Sequence, residues 1–176
     1  MPTTSDGRMA TPVQGFSLIE LMVTIAVAGI LAAVAVPSMV GFVNTSRLAT
    51  ASEELSASLQ LAKSEAVRRN RPVTVCGGTD GSDECANGTA WQQVLVRHDG
   101  GEAGDPAVIR RFELPGSVGV ESSAEQITFR PSGTVAAEVT LTACMPTTNP
   151  SDNARVITLM LGGGVATQKS SGGGEC

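Results

Sequence analysis

Glu20 is the one charged residue in an apolar run that extends from Phe16 to Val43. A carboxylate inside such a run is costly in lipid and requires a partner. The other reactive groups are few. Cys76, Cys85, Cys144 and Cys176 all follow the apolar run, and His98 is the only histidine. An even number of loop-associated cysteines in a domain displayed outside the cytoplasm reads as two disulfides. Three pairings are open. Cys76–Cys85 with Cys144–Cys176 is the expected one, because it closes one short loop and ties down a Gly-rich tail. A zinc site would want closer Cys-x₂₋₄-Cys spacings.

The remaining candidates are poor fits to chemistry. His98-Asp99 is not accompanied by a Gly-x-Ser-x-Gly elbow. Asp80, Asp83 and Glu84 form an acidic loop without the spaced ligands of an EF-hand. The triple glycines at 162–164 and 172–174 lack the Lys-Ser/Thr of a phosphate loop. The sequence points away from catalysis and calls for no cofactor or metal.

At 176 residues the chain has room for one domain with a full core beyond the apolar run. A formal charge of -5, with one Trp, four Phe and no Tyr, gives neither a basic surface nor stacking platforms for nucleic acid. The run itself exceeds the roughly 20 residues that span a bilayer as a helix. It is too long for the apolar core of a secretory signal, and no small-residue cleavage site follows it. A plain membrane anchor is one reading. Cleavage between Gly15 and Phe16, which would leave the helix in the mature chain, is the sharper one.

Gly29 lowers helix propensity and Pro37 removes a backbone donor, so a kink or local opening is expected there. Beyond Val43, Leu48, Ala51, Leu55, Leu59, Ala62 and Ala66 recur at helical spacing, with Arg47, Glu53, Lys63, Glu65 and Arg68 mostly on other faces. One helix from Phe16 to about Arg69, ending before Pro72, is expected; it would be about 80 Å long.

From Pro72 the pattern changes to short β-branched segments separated by turn residues. Strands are expected at Pro72–Cys76, Trp91–His98, Val108–Leu114, Gln126–Arg130, Thr134–Thr142 and Arg155–Leu161. Val118–Glu121 and Val165–Lys169 are weaker candidates. The class is α+β, with a long N-terminal helix packed on an antiparallel β-sheet head. The expected division is 1–15 leader, 16–43 transmembrane or filament-core helix, 44–70 amphipathic helix half and 71–176 head.

Gly15-Phe16-Ser17-Leu18-Ile19-Glu20-Leu21-Met22-Val23 resembles the class III signal of type IV pilins and type II secretion pseudopilins, and Gly29 and Pro37 fall where pilins place a helix-weakening Gly and Pro. The resemblance implies that a prepilin peptidase cuts between Gly15 and Phe16, and that Phe16 becomes N-methylated. Starts at Met1 and Met9 give the same mature chain. The new amine would lie four residues from Glu20, on the same helix face. It could pair with Glu20 of its own chain or of a neighbour, and the resemblance favours the neighbour. Either pairing offsets the desolvation of the carboxylate.

In the head, Trp91–Asp99, Leu114-Pro115-Gly116 and above all Phe129-Arg130-Pro131-Ser132-Gly133 resemble the GspH/FimT group, as does Ser64-Glu65-Ala66-Val67-Arg68-Arg69. The implied role is a minor pilin acting in pilus assembly or initiation, with other minor and major pilins as partners. The implied location is the bacterial inner membrane, single-pass with a periplasmic head, and then a filament. An H-type pseudopilin of type II secretion is the nearest alternative, and a DNA-binding minor pilin of natural transformation is another. DNA-binding members carry a basic Gly-Arg-x-Arg element, whereas the stretch Leu161–Lys169 here has Lys169 as its only cation. One charge gives little phosphate affinity. Arg68, Arg69 and Arg71, like Arg110 and Arg111, read as solvated faces, so DNA is not the favoured ligand.

Overall fold

The computed structural model describes residues 16–79, 81–98 and 107–176. Gly15 and the rest of the expected leader, Asp80 and Asp99 lie outside them. The chain divides into two compact units, Met1–Ser38 and Met39–Cys176. Helix α1 spans Leu18–Arg69 without a break in its helical assignment, Gly29 and Pro37 included.

In the first unit the helix leaves its large apolar side chains in the open, from Leu18 to Val36. In the second unit the pattern inverts. Leu48, Ala51, Leu55, Leu59, Ala62 and Ala66 are all at 0% exposure, so the stripe read from the spacing is the helix's core face. The helix ends where Asn70 turns to a positive φ of 52° and the Arg71 amide bonds back to Ala66 O. That is a left-handed cap with Asn in place of the commoner Gly.

Among the described residues nine strands form two antiparallel sheets. The first has the order β4 (Val108–Glu113), β3 (Gln93–His98), β1 (Val73–Gly78), β6 (Gln126–Phe129). The second runs β2 (Ala90–Trp91), β5 (Gly119–Ser122), β7 (Val139–Cys144), β8 (Ala154–Leu159), β9 (Val165–Ser170). Both sheets and the helix stripe contribute to one apolar core, which includes Val75, Val96, Ile127 and Phe129 from the first sheet and Leu141, Ile157 and Leu159 from the second. β5 and β6 alternate exposed and buried residues, as expected for strands with one wet face. β1 is buried on both faces. Its outer face, where Cys76 lies opposite Leu95, is closed off from solvent, and the Cys76–Cys85 disulfide ties the following loop back to the strand.

Two strand expectations need correction. Trp91–His98 is not one strand: Ala90–Trp91 pairs with β5 in the second sheet, and after Gln92 the chain enters the first sheet as β3. Gln92-Gln93 carries no turn signal, and Trp91 and Val94 on either side of it both enter the same core, which conceals the switch. Thr134–Thr142 is likewise too long, since β7 begins at Val139. Residues 134 and 135 are spent on other pairings, with Arg130 N donating to Thr134 O and Val135 N to Leu161 O. The chain then bends at Ala136 and Ala137 before entering the sheet.

Candidate functional site

Of the residues expected to direct processing and assembly, Phe16 and Glu20 lie at the start of α1, Gly29 and Pro37 lie within it, and Gly15 lies outside the described residues. Phe16 is 76% exposed and stands two residues before the helix. Glu20 is in the first turn, where the helix dipole favours an anion. Gly29 leaves open space where a Cβ would stand, so no packing within the chain demands glycine there. The structure therefore presents an apolar helical surface bearing one carboxylate.

The helix is fixed to the head at both ends of its second half. At one end, Asn44 Nδ2 donates to Asn149 O at 2.9 Å, and a Cβ on Gly41 would fall 2.5 Å from Asn149 Oδ1. At the other end, Lys63 Nζ donates to Gly162 O and Gly163 O at 3.0 and 3.1 Å. That cation closes on two tight turns. Gly133, in the Phe-Arg-Pro-Ser-Gly landmark, has φ +76°, and Gly163 has φ +71°. A Cβ on Gly163 would lie 2.3 Å from Gly133 O, so the two turns touch through backbone alone.

Most candidate nucleic-acid cations are engaged within the protein. Arg68 donates to Glu65 Oε1 and Oε2 at 3.1 and 2.6 Å, and Arg69 Nε to Glu65 Oε2 at 2.7 Å. Hydrogen bonds from Arg68 and then Arg69 hold the Glu65 carboxyl below its ordinary range, against the opposing effect of burial. Arg110 lies over the Phe112 ring at 4.9 Å, and Arg111 is paired with Asp83. Lys169 sits on β9 opposite Arg155. His98 is buried at the end of β3, opposite Val73, with its backbone amide bonded to Ala107 O. No group of three or more His, Cys, Asp or Glu able to hold a metal occurs among the described residues.

The cysteines form two bridges, Cys76–Cys85 and Cys144–Cys176. The second works together with Asn153, a residue that the sequence did not single out. Asn153 is at 0% exposure; its Oδ1 accepts from Gly172 N at 2.6 Å and its Nδ2 donates to Met145 O at 2.8 Å. A lone Asn beside a strand carries no sequence signal for such a role.

Comparison with known proteins agrees with this geometry. The profile described as Type II transport protein GspH matches residues 51–163, and the prokaryotic N-terminal methylation motif matches residues 12–36. No curated protein sequence matches. Two crystal forms of the Pseudomonas aeruginosa type IV minor pilin FimU are similar at 24% and 23% identity, with TM-scores of 0.53 and 0.56. They cover 69% and 72% of this chain and 92% of FimU in each case. The minor pseudopilin EpsH from the Type 2 Secretion System of Vibrio cholerae is similar in fold at 14% identity and a TM-score of 0.51, over 70% of this chain and 97% of EpsH. The fold is thus that of these pilin-type heads, and the chain belongs to the GspH family.

Proposed function

We propose that this protein is a minor type IV pilin, a structural subunit that is cut by a prepilin peptidase between Gly15 and Phe16 and then built into a filament. The observation that carries this reading is the division of α1. Its second half buries a stripe in the head, while its first half exposes apolar side chains around a single carboxylate. The helix is long and apolar enough to cross a membrane. In this reading residues 16–43 anchor the subunit in the bacterial inner membrane, residues 44–70 hold the head, and residues 71–176 project into the periplasm.

Cleavage creates the amine at Phe16, which is N-methylated and keeps its charge. In the filament it pairs with Glu20 of a neighbouring pilin, which removes the penalty of a lone buried carboxylate and sets the register between subunits. Gly29 and Pro37 give that segment a weakened helix for packing among the helices of other minor and major pilins. The protein performs no catalysis in this role.

The family match favours a second reading, an H-type pseudopilin in a type II secretion filament. The two share every step above and differ in their partners. DNA binding is disfavoured because Arg68, Arg69 and Arg111 already meet carboxylates. The test is Glu20→Ala in the native cell. Cleavage should persist while incorporation into surface filaments falls at least tenfold; normal incorporation would remove Glu20 from its role. If Glu20→Ala spares pili and abolishes secretion, the pseudopilin reading replaces the pilus one.

A further inference from the structure

Within the second unit, a groove of about 960 Å³ opens where α1 enters the head. Asn44 and Arg47 of the helix line it together with Trp91, Glu113, Ser117 and Val118. The helical turn just before it is apolar and open to solvent: Met39 is 69% exposed and Phe42 75%. Arg47 follows Val43 by four residues, about 6 Å along the helix axis. In the membrane-anchor reading Arg47 therefore lies about one helical turn beyond the end of the apolar run, at headgroup depth.

Its charges are of both signs and do not satisfy one another. Arg47 Nη1 donates to Ser117 Oγ at 3.3 Å, and Glu113 accepts from Gln93 Nε2 at 2.5 Å. Among the described residues neither forms an ion pair. Trp91 is 3% exposed, and its Nε1–H finds no acceptor in the protein. A guanidinium and a carboxylate without an ion-pair partner, beside an apolar helical turn, make a set suited to a headgroup with an anionic end and a cationic end that donates hydrogen bonds. Arginine favours phosphate, and a carboxylate favours a charged N–H donor.

We propose that this groove binds the headgroup of a phosphatidylethanolamine molecule in the membrane, with its phosphate at Arg47 and its ammonium at Glu113. An anionic glycerol headgroup would supply the first contact only and would meet the repulsion of Glu113. Binding would hold the base of the head on the lipid surface until the subunit is drawn into a filament. The inference rests on the membrane-anchor reading of residues 16–43.

Trp91 is the only tryptophan, so its fluorescence reports on the groove. The full chain would be reconstituted into vesicles of phosphatidylcholine containing either phosphatidylethanolamine or phosphatidylglycerol, with inorganic phosphate added in a separate arm. Vesicle association should be equal in all, while the Trp91 emission should shift with phosphatidylethanolamine alone. Arg47→Gln and Glu113→Gln should each weaken that response at least fivefold without releasing the chain from vesicles. An equal response to phosphatidylglycerol or to phosphate, or a full response in either variant, would overturn the proposal. Failure to associate with any vesicle would instead overturn the membrane anchor.

Discussion

Trp91 lies so close against Gly77 that a Cβ on the glycine would fall 2.5 Å from Trp91 Cδ1 and 2.9 Å from Cγ. Gly77 belongs to the first sheet and Trp91 to the second, so this contact joins the two sheets across the core. Gly77→Ala forces the indole out of place. It should cost about 1–3 kcal/mol, the usual range for overpacking a core. Thermal unfolding of the chain in detergent, followed by Trp91 emission, measures this; an unchanged midpoint and spectrum would show that the contact has room to spare.

Asn153 should be among the most sensitive polar positions. Asn153→Ala removes the acceptor of the Gly172 amide and one of the two donors to Met145 O, which keeps its bond from Thr147 N. Each lost hydrogen bond costs about 0.5–1.5 kcal/mol. Hydrogen exchange should accelerate at Gly172 and along the residues that follow β9. Exchange that rises evenly over the whole head would point instead to a general loss of packing.

The Cys144–Cys176 bridge closes a separation of 32 residues, against 9 for Cys76–Cys85. By loop-closure entropy a bridge of that length contributes about 3–4 kcal/mol. Replacing both Cys144 and Cys176 with Ser should lower stability by that order in denaturant titration. A loss below about 1 kcal/mol would mean that Asn153 secures the tail without the bridge.

Glu65 carries a pH dependence with a definite sign. Its carboxyl is held below the usual range by Arg68 and Arg69, so its folded pKa is lower than its unfolded one. Its contribution is complete above the unfolded value and is lost as pH falls through the folded value. The stability difference between wild type and Glu65→Gln should therefore be larger at pH 7 than at pH 3. A difference that is constant across that interval would contradict the pairing.

Legibility in the sequence was governed by local pattern. The helix stripe from Leu48 to Ala66 and its end near Arg69 follow from spacing, because each face of a helix has one environment. Strand positions were legible for the same reason, including the weak segments that became β5 and β9. The break at Gln92 was not, because Gln92-Gln93 carries no turn signal and the residues on either side of it, Trp91 and Val94, both enter one core. Asn153 was hidden for a different reason: its partners, Gly172 and Met145, are brought to it only by folding. At the N-terminus, Glu20 stands out in the sequence because an acid in an apolar run requires a partner wherever the helix is placed.

The most direct test of the pilin reading is the mass of the N-terminal peptide from the chain recovered in sheared surface filaments. The reading predicts a peptide that begins at N-methylated Phe16 and contains an unmodified Glu20. A chain that begins upstream of Gly15, or that stays wholly in the membrane fraction while the cell makes both pili and secretion filaments, would contradict it.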